Sequence, residues 1–323
     1  MPIMCTVQLP AGKKPEQIEA TLQDISQVLM RNFDAQPNQV RVTIDELCWH
    51  GICRNSTVKA MKQNDLKERL ARGETVFGMF LNTGDPILAE IAALSGLDMI
   101  VIDSEHGPTG VLENLPLIQA AELRGAVPIV RVPNKQSDTI LKMLDIGAHG
   151  ILVPRVNTPE EARQVVKAAR YFPEGERGVA SARASDYGFT RLTDYFGLAN
   201  HRNLIAVQCE DVACLPHLDE IASIDGIDVI FIGPYDLSST MGAPGQVSYE
   251  AIQDTVAAVL EAVHRHGKAA GIFTKDPAEA RFYAQLGIQF IIVGTDIQTF
   301  AGTCRNLVHV LRTPSSETDS KEA

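Results

Sequence analysis

Short apolar runs separated by amphipathic, helix-prone stretches fill most of the chain from Val76 onward. The runs are FGMFL, DMIVI, VPIVRV, GILVPRV, LIAVQCE, VIFIGP, AAGIF and QFIIVG. Most of the stretches between them end in glycine, as helices often do. Nearly continuous Val and Ile runs indicate strands buried on both faces. The pattern predicts an α/β fold, a TIM (β/α)8 barrel, and the absence of G-x-G-x-x-G after the first strand disfavours an open dinucleotide-binding sheet.

The first 60 residues do not follow this pattern. PIMCTVQL alternates like a half-buried strand, PEQIEATLQDISQVLMRNF has apolar residues at helical spacing, and QVRVTIDEL has the pattern of a second strand. Residues 2–60 are therefore predicted to form a small β-α-β domain, whose size favours assembly with other copies. Residues 61–75 are predicted to be a linker and lead-in helix, 76–312 the barrel, and 313–323 a disordered polar tail.

The composition limits the classes of partner. Of the 323 residues, 45% are hydrophobic and 21% are charged, which is ordinary for a globular protein. A net charge of −11 and a pI near 5.2 lack the basic footprint of a nucleic-acid or anionic-membrane partner, so neither is expected. With no membrane-span or signal-peptide pattern, we expect a cytoplasmic protein. The six scattered cysteines favour reduced thiols over a zinc site or disulfides.

Ionisable residues follow several of the predicted strands. The stretch VIDSEHGP runs from a buried-strand pattern into Asp103, Glu105 and His106. Other strand ends carry Arg131, Glu210, Asp211 and Asp236. Because a TIM barrel builds its active site at the carboxyl ends of its strands, these residues are predicted to converge on one site.

Two carboxylates on neighbouring strand ends suit a hard divalent cation. Glu210 and Asp236 are the candidate ligands for Mg²⁺ or Mn²⁺, and the alternative for each is a helix cap or a surface ion pair. Arg131 lies inside the apolar stretch VPIVRVP, where an unpaired guanidinium is costly to bury. We expect it either to bind a substrate carboxylate through its planar fork or to form a structural ion pair with an acid such as Glu105.

Five motifs, in order, resemble the metal-dependent (class II) pyruvate aldolases related to 4-hydroxy-2-oxoheptane-1,7-dioate aldolase, the HpcH/HpaI family. They are DSEHGP, VRVP, LDIGAHGILVPRV, VQCED and FIGPYDLSSTMG, and the likeness covers nearly all of residues 70–312. The resemblance implies that Glu210 and Asp236 bind a divalent metal, Mg²⁺, Mn²⁺ or Co²⁺. It also implies that Arg131 holds the oxo-carboxylate end of the substrate.

The same resemblance makes His106 the catalytic base, assisted by Asp103 and Asp145. It also places one turn against the substrate, formed by Gly233, Pro234 and Tyr235. The expected reaction is retro-aldol cleavage of a 4-hydroxy-2-oxo acid to pyruvate and an aldehyde. This reaction needs a base for the proton of the 4-hydroxyl and a Lewis acid for the pyruvate enolate. A structural role is the alternative for the histidine.

A Schiff-base aldolase is the mechanistic alternative, and it needs a lysine inside a barrel strand. None of the eight apolar runs contains a lysine, and Lys268 and Lys275 only flank the seventh. The aldehyde half of the substrate is expected to be selected by loops such as Arg177–Thr190.

The first 60 residues resemble 4-oxalocrotonate tautomerase along almost the full length of that family. The likeness is carried by PIMCTVQLPAGKKPEQIEATLQDISQVL and PNQVRVTIDEL. It implies that Pro2, exposed by removal of Met1, is a general base and that Arg41 binds a substrate carboxylate. Lys13 stands where the family has an arginine, and Trp49 lies near the place of an aromatic pocket residue.

A tautomerase and an aldolase of these families both act on 2-oxo acids, so the sequence predicts a bifunctional fusion enzyme. The alternative is that the first domain is only an oligomerisation module and that catalysis is confined to the barrel. Both families are commonly hexameric, and a homo-oligomer, a hexamer, is therefore expected.

Overall fold

The computed structural model describes residues 3–10, 15–33, 36, 40–47 and 65–313. The chain divides into two compact units, Met1–Ala60 and Met61–Ala323. In the first unit, strand β1 (Ile3–Pro10), helix α1 (Pro15–Phe33) and strand β2 (Val40–Leu47) follow one another, and the two strands pair in parallel. The predicted β-α-β order is thus present in the backbone.

Most residues of the predicted tautomerase-like site lie outside the described part of the chain. Pro2, Lys13 and Trp49 lie outside the described residues. Arg41 lies in β2 opposite Met4, but its side chain is outside the described part of the chain. The roles that the sequence predicts for these four residues therefore stay predictions.

The second unit is a closed barrel of eight parallel strands, as the sequence predicts. The strands are β3 (Val76–Leu81), β4 (Met99–Asp103), β5 (Val127–Arg131), β6 (Gly150–Val153), β7 (Leu204–Cys209), β8 (Val229–Ile232), β9 (Ala269–Thr274) and β10 (Phe290–Thr295). Each pairs with the next along the chain, and β10 pairs with β3 to close the barrel.

Helices surround the barrel and connect its strands. They are α2 (Leu66–Ala71), α3 (Pro86–Leu94), α4 (Val111–Arg124), α5 (Ser137–Asp145), α6 (Pro159–Ala169), α7 (Leu192–Arg202), α8 (Leu218–Ser223), α9 (Pro234–Thr240), α10 (Tyr249–His266), α11 (Pro277–Gln285) and α12 (Asp296–Arg312). Among the described residues, no helix is both long enough and apolar enough to cross a membrane.

Alternate residues of each strand face opposite sides of the barrel wall. Val76 and Phe80 of β3 pack inside the barrel with Val101 of β4, whereas Leu81 and Ile102 pack outside, against the helices. Each fully buried apolar side chain of this kind contributes roughly 1.5–3 kcal/mol. Because strand side chains alternate with a period of two, the last inward positions lie at the carboxyl mouth of the barrel. Those positions carry Asn82, Asp103, Arg131, Gln208 and Glu210.

The segment between α6 and β7 differs from the sequence prediction. Helix α7 was not predicted, because its sequence LTDYFGLANHR contains Gly197 and Asn200 and lacks a long apolar stripe. Its buried Tyr195 and Ala199 pack against Tyr171, so tertiary contacts hold a helix that local propensity does not favour. Within the predicted linker and lead-in region, α2 packs Leu66 and Leu70 against the inner layer of the barrel.

Candidate active site

The centre of the site is a buried ion pair between two neighbouring strands. Asp103 ends β4 and Arg131 ends β5, directly opposite each other in the sheet. Arg131 Nε and Nη2 donate to Asp103 Oδ1 and Oδ2 at 2.8 and 2.6 Å, a bidentate contact. The third guanidinium nitrogen, Nη1, makes no hydrogen bond within the described part of the chain. Arg131 therefore has a fixed orientation and one donor group left for a ligand.

Asp103 binds Arg131 and the backbone of the loop that carries His106, and not the His106 ring. Besides Arg131, its carboxylate accepts hydrogen bonds from the backbone N–H groups of Glu105 and His106, at 3.1 and 3.2 Å, and from the side chain of Asn82. Burial alone would raise the pKa of Asp103, but Arg131 and these N–H groups hold the pKa below its usual value. Asp103 thus stays ionised and fixes the loop that carries His106.

Glu105 and His106 stand at the open side of this pair. The His106 side chain is half exposed, and its Nε2 lies 4.0 Å from Glu105 Oε2. Glu105 also lies 3.6 Å from Arg131 Nε, so the alternative of a structural ion pair for this arginine is realised with two acids. Phe80 forms the floor, with the Arg131 guanidinium 4.2 Å above its ring centroid. A cation on an aromatic face is favourable, and Phe80 supports Arg131 without using a donor.

The second part of the site is Glu210, which follows β7 and is almost fully buried. Its Oε1 accepts the backbone N–H of Arg155 at 2.8 Å, and its Oε2 accepts from the Gln208 side chain. Arg155 has a φ of 54°, a costly conformation for a residue other than glycine. A Cβ atom at Gly233 would lie 2.7 Å from Glu210 Oε2, so only glycine fits there. Backbone and side chains together aim this carboxylate.

Asp236 faces the same mouth from the first turn of α9. Its neighbour Tyr235 is half exposed and packs edge-on against Phe273, whose ring centroid is 5.9 Å away. Phe273 in turn lies 5.8 Å from Phe80, so an aromatic wall runs from the turn Gly233–Pro234–Tyr235 to the floor under Arg131. The predicted substrate-contacting turn therefore lies beside the other candidate residues.

The carboxylates at this mouth repel one another. Burial raises the pKa of Glu210 to about 7, with further increases from the charges of Glu105 and Asp236 that the Arg155 N–H only partly offsets. Burial likewise raises the pKa of Glu105, and Arg131 and His106 act against that rise. Two carboxylates with raised pKa values, Glu210 and Glu105, together with the charge of Asp236, form a site that a positive charge would stabilise.

These residues fit a divalent cation with oxygen ligands. Glu210 and Asp236 supply hard carboxylate oxygens, and the contacts from Arg155 and Gln208 orient the buried one, as outer partners of metal ligands do. No group of three or more His, Cys, Asp or Glu side chains within the described ranges is arranged to hold an ion. Two carboxylates are what Mg²⁺ commonly takes from a protein when waters and a substrate complete its shell.

Two sequence-predicted elements are not brought to this mouth. Asp145 ends α5, at the amino ends of the strands, and it accepts a hydrogen bond from buried Arg177 at 2.7 Å. Loop Arg177–Thr190 lies between α6 and α7, and its Arg183 contacts Glu122 and the Ile146 carbonyl at the same end. Within one chain, neither Asp145 nor this loop lies beside His106. Their predicted roles in base catalysis and aldehyde selection have no support in these contacts.

Sequence reasoning did not single out three residues that the structure places in the site. Asn82 and Gln208 contact the two carboxylates, and Phe80 supports Arg131. The sequence did contain a signal for these residues, because each occupies an inward-facing position of its strand or directly after it. Asn82 follows Phe80 by two residues, and Gln208 precedes Glu210 by two.

The raised pKa of Glu210 makes a prediction about stability. Because the folded pKa of about 7 lies above the unfolded value, the ionised carboxylate costs metal-free protein stability increasingly from pH 4.5 to 7, and constantly above. At pH 8 that cost is roughly 3 kcal/mol. In chelator, we expect Glu210→Gln to be more stable than wild type by denaturant unfolding at pH 8, with the gain falling to about 1 kcal/mol or less at pH 5.

Asp211 supplies the matched control for this experiment. Its side chain accepts from the Ala213 N–H at 2.9 Å and caps the following turn. Because asparagine accepts this hydrogen bond as well as aspartate does, Asp211→Asn should change stability little at either pH value. A Glu210→Gln protein that is less stable than wild type at pH 8 would show that the carboxylate repulsion is not a cost to the fold.

Comparisons with known proteins agree with this fold. The sequence model of the HpcH/HpaI aldolase/citrate lyase family matches residues 76–302. A hydroxypyruvate/pyruvate aldolase of Cupriavidus necator is 38% identical over 254 residues, 79% of this chain and 94% of that protein. A 2-keto-3-deoxy-L-rhamnonate aldolase of Salmonella paratyphi A is 36% identical over 268 residues, 82% of this chain and all of the relative.

A solved structure gives the same result. The crystal structure of a HpcH/HpaI aldolase/citrate lyase family protein from Burkholderia cenocepacia superposes with a TM-score of 0.74 at 32% identity, covering 78% of this chain and all of that one. The family match begins at residue 76, so the tautomerase-like interpretation of the first 60 residues stays a prediction. From its barrel and the extent of these matches, the chain belongs to the HpcH/HpaI aldolase/citrate lyase family.

Proposed function

We propose that the barrel is a metal-dependent (class II) pyruvate aldolase that cleaves 4-hydroxy-2-oxo acids to pyruvate and an aldehyde. The observation that carries the proposal is one barrel mouth that holds Arg131 together with the carboxylates of Glu210, Asp236 and Glu105. Among the described residues, nothing accepts a hydrogen bond from Arg131 Nη1. The aldolase names of the relatives support the reaction type.

Each residue has a task in this proposal. Arg131 binds the oxo-acid carboxylate through Nη1, while Asp103 keeps the guanidinium in place. Glu210 and Asp236 would hold Mg²⁺, Mn²⁺ or Co²⁺, which supplies the Lewis acidity that stabilises a pyruvate enolate. His106 takes the proton of the 4-hydroxyl while the bond between C3 and C4 breaks, and its half-exposed ring can exchange that proton with water. The enolate left behind then takes a proton at C3 and becomes pyruvate.

A lysine imine is the competing mechanism. The eight barrel strands, all within residues 65–313, contain no lysine, which leaves the barrel interior without the amine that an imine requires. The experiment is pyruvate release from a panel of 4-hydroxy-2-oxo acids, followed by borohydride treatment in the presence of pyruvate. We expect release without covalent trapping. Enzyme inactivated and labelled by borohydride would support the imine mechanism.

For the first unit, we propose a proline-based tautomerase that interconverts enol and keto forms of 2-oxo acids. The parallel β1–α1–β2 unit supports this second candidate, because it has the order expected of the resembled family. Pro2 would be the base, Arg41 and Lys13 the substrate-binding cations, and Trp49 an aromatic pocket residue. The alternative is an oligomerisation module of a homo-hexamer.

The variant Pro2→Ala distinguishes a tautomerase from an oligomerisation module. An alanine amine lacks the pyrrolidine ring that fixes the direction of the nitrogen lone pair, so it is a less well positioned base. We expect ketonisation of phenylenolpyruvate or 2-hydroxymuconate to fall by about 10²-fold, with metal-dependent aldol cleavage nearly unchanged. Mass spectrometry of the amino terminus is the control for Met1 removal. Full tautomerase activity in Pro2→Ala would favour the assembly module.

A further inference from the structure

Arg155 presents its backbone N–H group to Glu210 from a conformation that arginine rarely adopts. This residue follows β6, its φ is 54°, and its N–H donates to Glu210 Oε1 at 2.8 Å. A residue other than glycine keeps a left-handed backbone only where its surroundings stabilise that conformation. The contact with Glu210 fixes the N–H side of Arg155, so the carbonyl side needs a partner of its own.

Lys135 is the partner of the Arg155 carbonyl. Its Nζ donates to that oxygen at 3.0 Å and also to Glu161 Oε1, in the first turn of α6. One ammonium group thus joins the loop after β5 to the loop after β6. The backbone beside the lysine is fixed as well, because the Gln136 N–H donates to Asn134 Oδ1 at 3.0 Å just before α5 begins. Lys135 therefore contacts Arg155 from an ordered turn.

Glu161 keeps the ammonium group of Lys135 in this position. Its other oxygen, Oε2, accepts the Asn157 N–H at 2.8 Å, and its own N–H donates to Thr158 Oγ1 at 3.2 Å. Burial alone would raise the pKa of Glu161, but Lys135 and the Asn157 N–H hold that pKa below its usual value. The carboxylate is therefore ionised at neutral pH, and it keeps Lys135 between itself and the Arg155 carbonyl.

Neither stability nor charge explains a lysine at this position. The side chains of Lys135 and Glu161 are 37% and 29% exposed, and ion pairs so accessible to water add little to stability. A positive charge two hydrogen bonds away from a candidate cation site is also unfavourable on charge alone, since it repels the ion that Glu210 would bind. What the lysine does provide is the contact with the Arg155 carbonyl.

Resting on the proposed aldolase function, we infer that Lys135 is a positioning residue for the metal site. Its hydrogen bond to the Arg155 carbonyl stabilises the left-handed turn that presents the Arg155 N–H to Glu210. Without that bond, residue 155 relaxes to an ordinary negative φ, and its N–H rotates away from Oε1. Glu210 then keeps only the Gln208 side chain as an orienting contact. A carboxylate that is less well oriented binds a cation more weakly.

The test is Mn²⁺ binding to the full-length protein without substrate, measured from the electron paramagnetic resonance signal of the free ion. Lys135→Met keeps the length of the side chain and removes its charge and its donors. We expect the dissociation constant for Mn²⁺ to rise about tenfold, as when a metal ligand loses an outer partner. Charge alone predicts the opposite sign, because removal of a nearby cation should tighten binding. Lys135→Arg, which can donate to the carbonyl and to Glu161 together, should bind within about twofold of wild type.

Lys142→Met is the matched control, because Lys142 is an exposed lysine of α5 that pairs only with Asp138, at 3.8 Å, within the described ranges. It removes one positive charge and should leave the dissociation constant unchanged. Denaturant unfolding should show Lys135→Met to be close to wild type in stability. If methionine disturbs the fold, Glu161→Gln is the second variant, because it weakens the contact with Lys135 and should also weaken Mn²⁺ binding.

The outcomes distinguish the inference from the function on which it rests. Unchanged or tighter Mn²⁺ binding in folded Lys135→Met and in Glu161→Gln would overturn the positioning role and leave the metal site standing. Wild-type protein that binds no Mn²⁺ would instead overturn the proposed metal site.

Discussion

Loss of Asp236 should abolish aldol cleavage. In Asp236→Ala, or in wild type treated with chelator, we expect pyruvate release to fall by roughly 10³-fold or more, because the enolate loses several kcal/mol of charge stabilisation. In wild type, Mg²⁺, Mn²⁺ or Co²⁺ should restore the rate, whereas in Asp236→Ala they should not. The measurement is pyruvate release coupled to lactate dehydrogenase, with the metal concentration varied.

Asp211→Asn is the control for this prediction, because Asp211 lies next to Glu210 but caps a turn instead of facing the mouth. It should keep the metal response of wild type. Chelated wild type that cleaves at its full rate would contradict the assignment of Glu210 and Asp236 as ligands, whatever the behaviour of Asp236→Ala.

Replacement of Arg131 should have a comparably large effect. We expect Arg131→Lys to lower kcat/KM by about 10²- to 10³-fold, with both a higher KM and a lower kcat, because lysine keeps the charge but cannot hold Asp103 and a carboxylate together. Arg131→Ala should also lose roughly 3–5 kcal/mol of stability, since Asp103 would remain buried without its ion pair.

Two measurements separate the role of Arg131 in substrate binding from its role in stabilising the fold. Steady-state kinetics with the folded Arg131→Lys protein report on substrate binding and turnover, and denaturant unfolding of Arg131→Ala reports on the buried carboxylate. Arg131→Lys with an unchanged KM for the oxo acid would contradict a substrate-binding role and leave Arg131 as a structural partner of Asp103.

The barrel and much of the site could be predicted because strand alternation links local pattern to position. In VPIVRV, Arg131 has the same parity as the inward residues Val127 and Ile129, so the sequence alone places it inside the barrel mouth. Glu210 has the parity of Leu204 and Ala206 for the same reason. The apolar runs are long enough to fix the parity of each strand, and the parallel order fixes which end is the mouth.

The sequence pattern could not supply the contacts that depend on barrel closure. Asn82 lies 21 residues before Asp103, and only the pairing of β3 with β4 brings its amide to that carboxylate. Asp145 was expected beside the base from a family motif, but helix α5 carries it to the opposite end of the strands. A matching motif predicts which residue is present, but it does not show which end of the helix lies near the site.

The most direct test of the central claim is exchange of the C3 protons of pyruvate in deuterated water, followed by NMR without any aldehyde present. This measurement reports on enolate formation alone. The metal-loaded enzyme should exchange these protons, and chelation, Asp236→Ala and Arg131→Ala should each stop the exchange. Exchange that continues at the full rate in chelated enzyme would contradict a metal-stabilised enolate in this barrel.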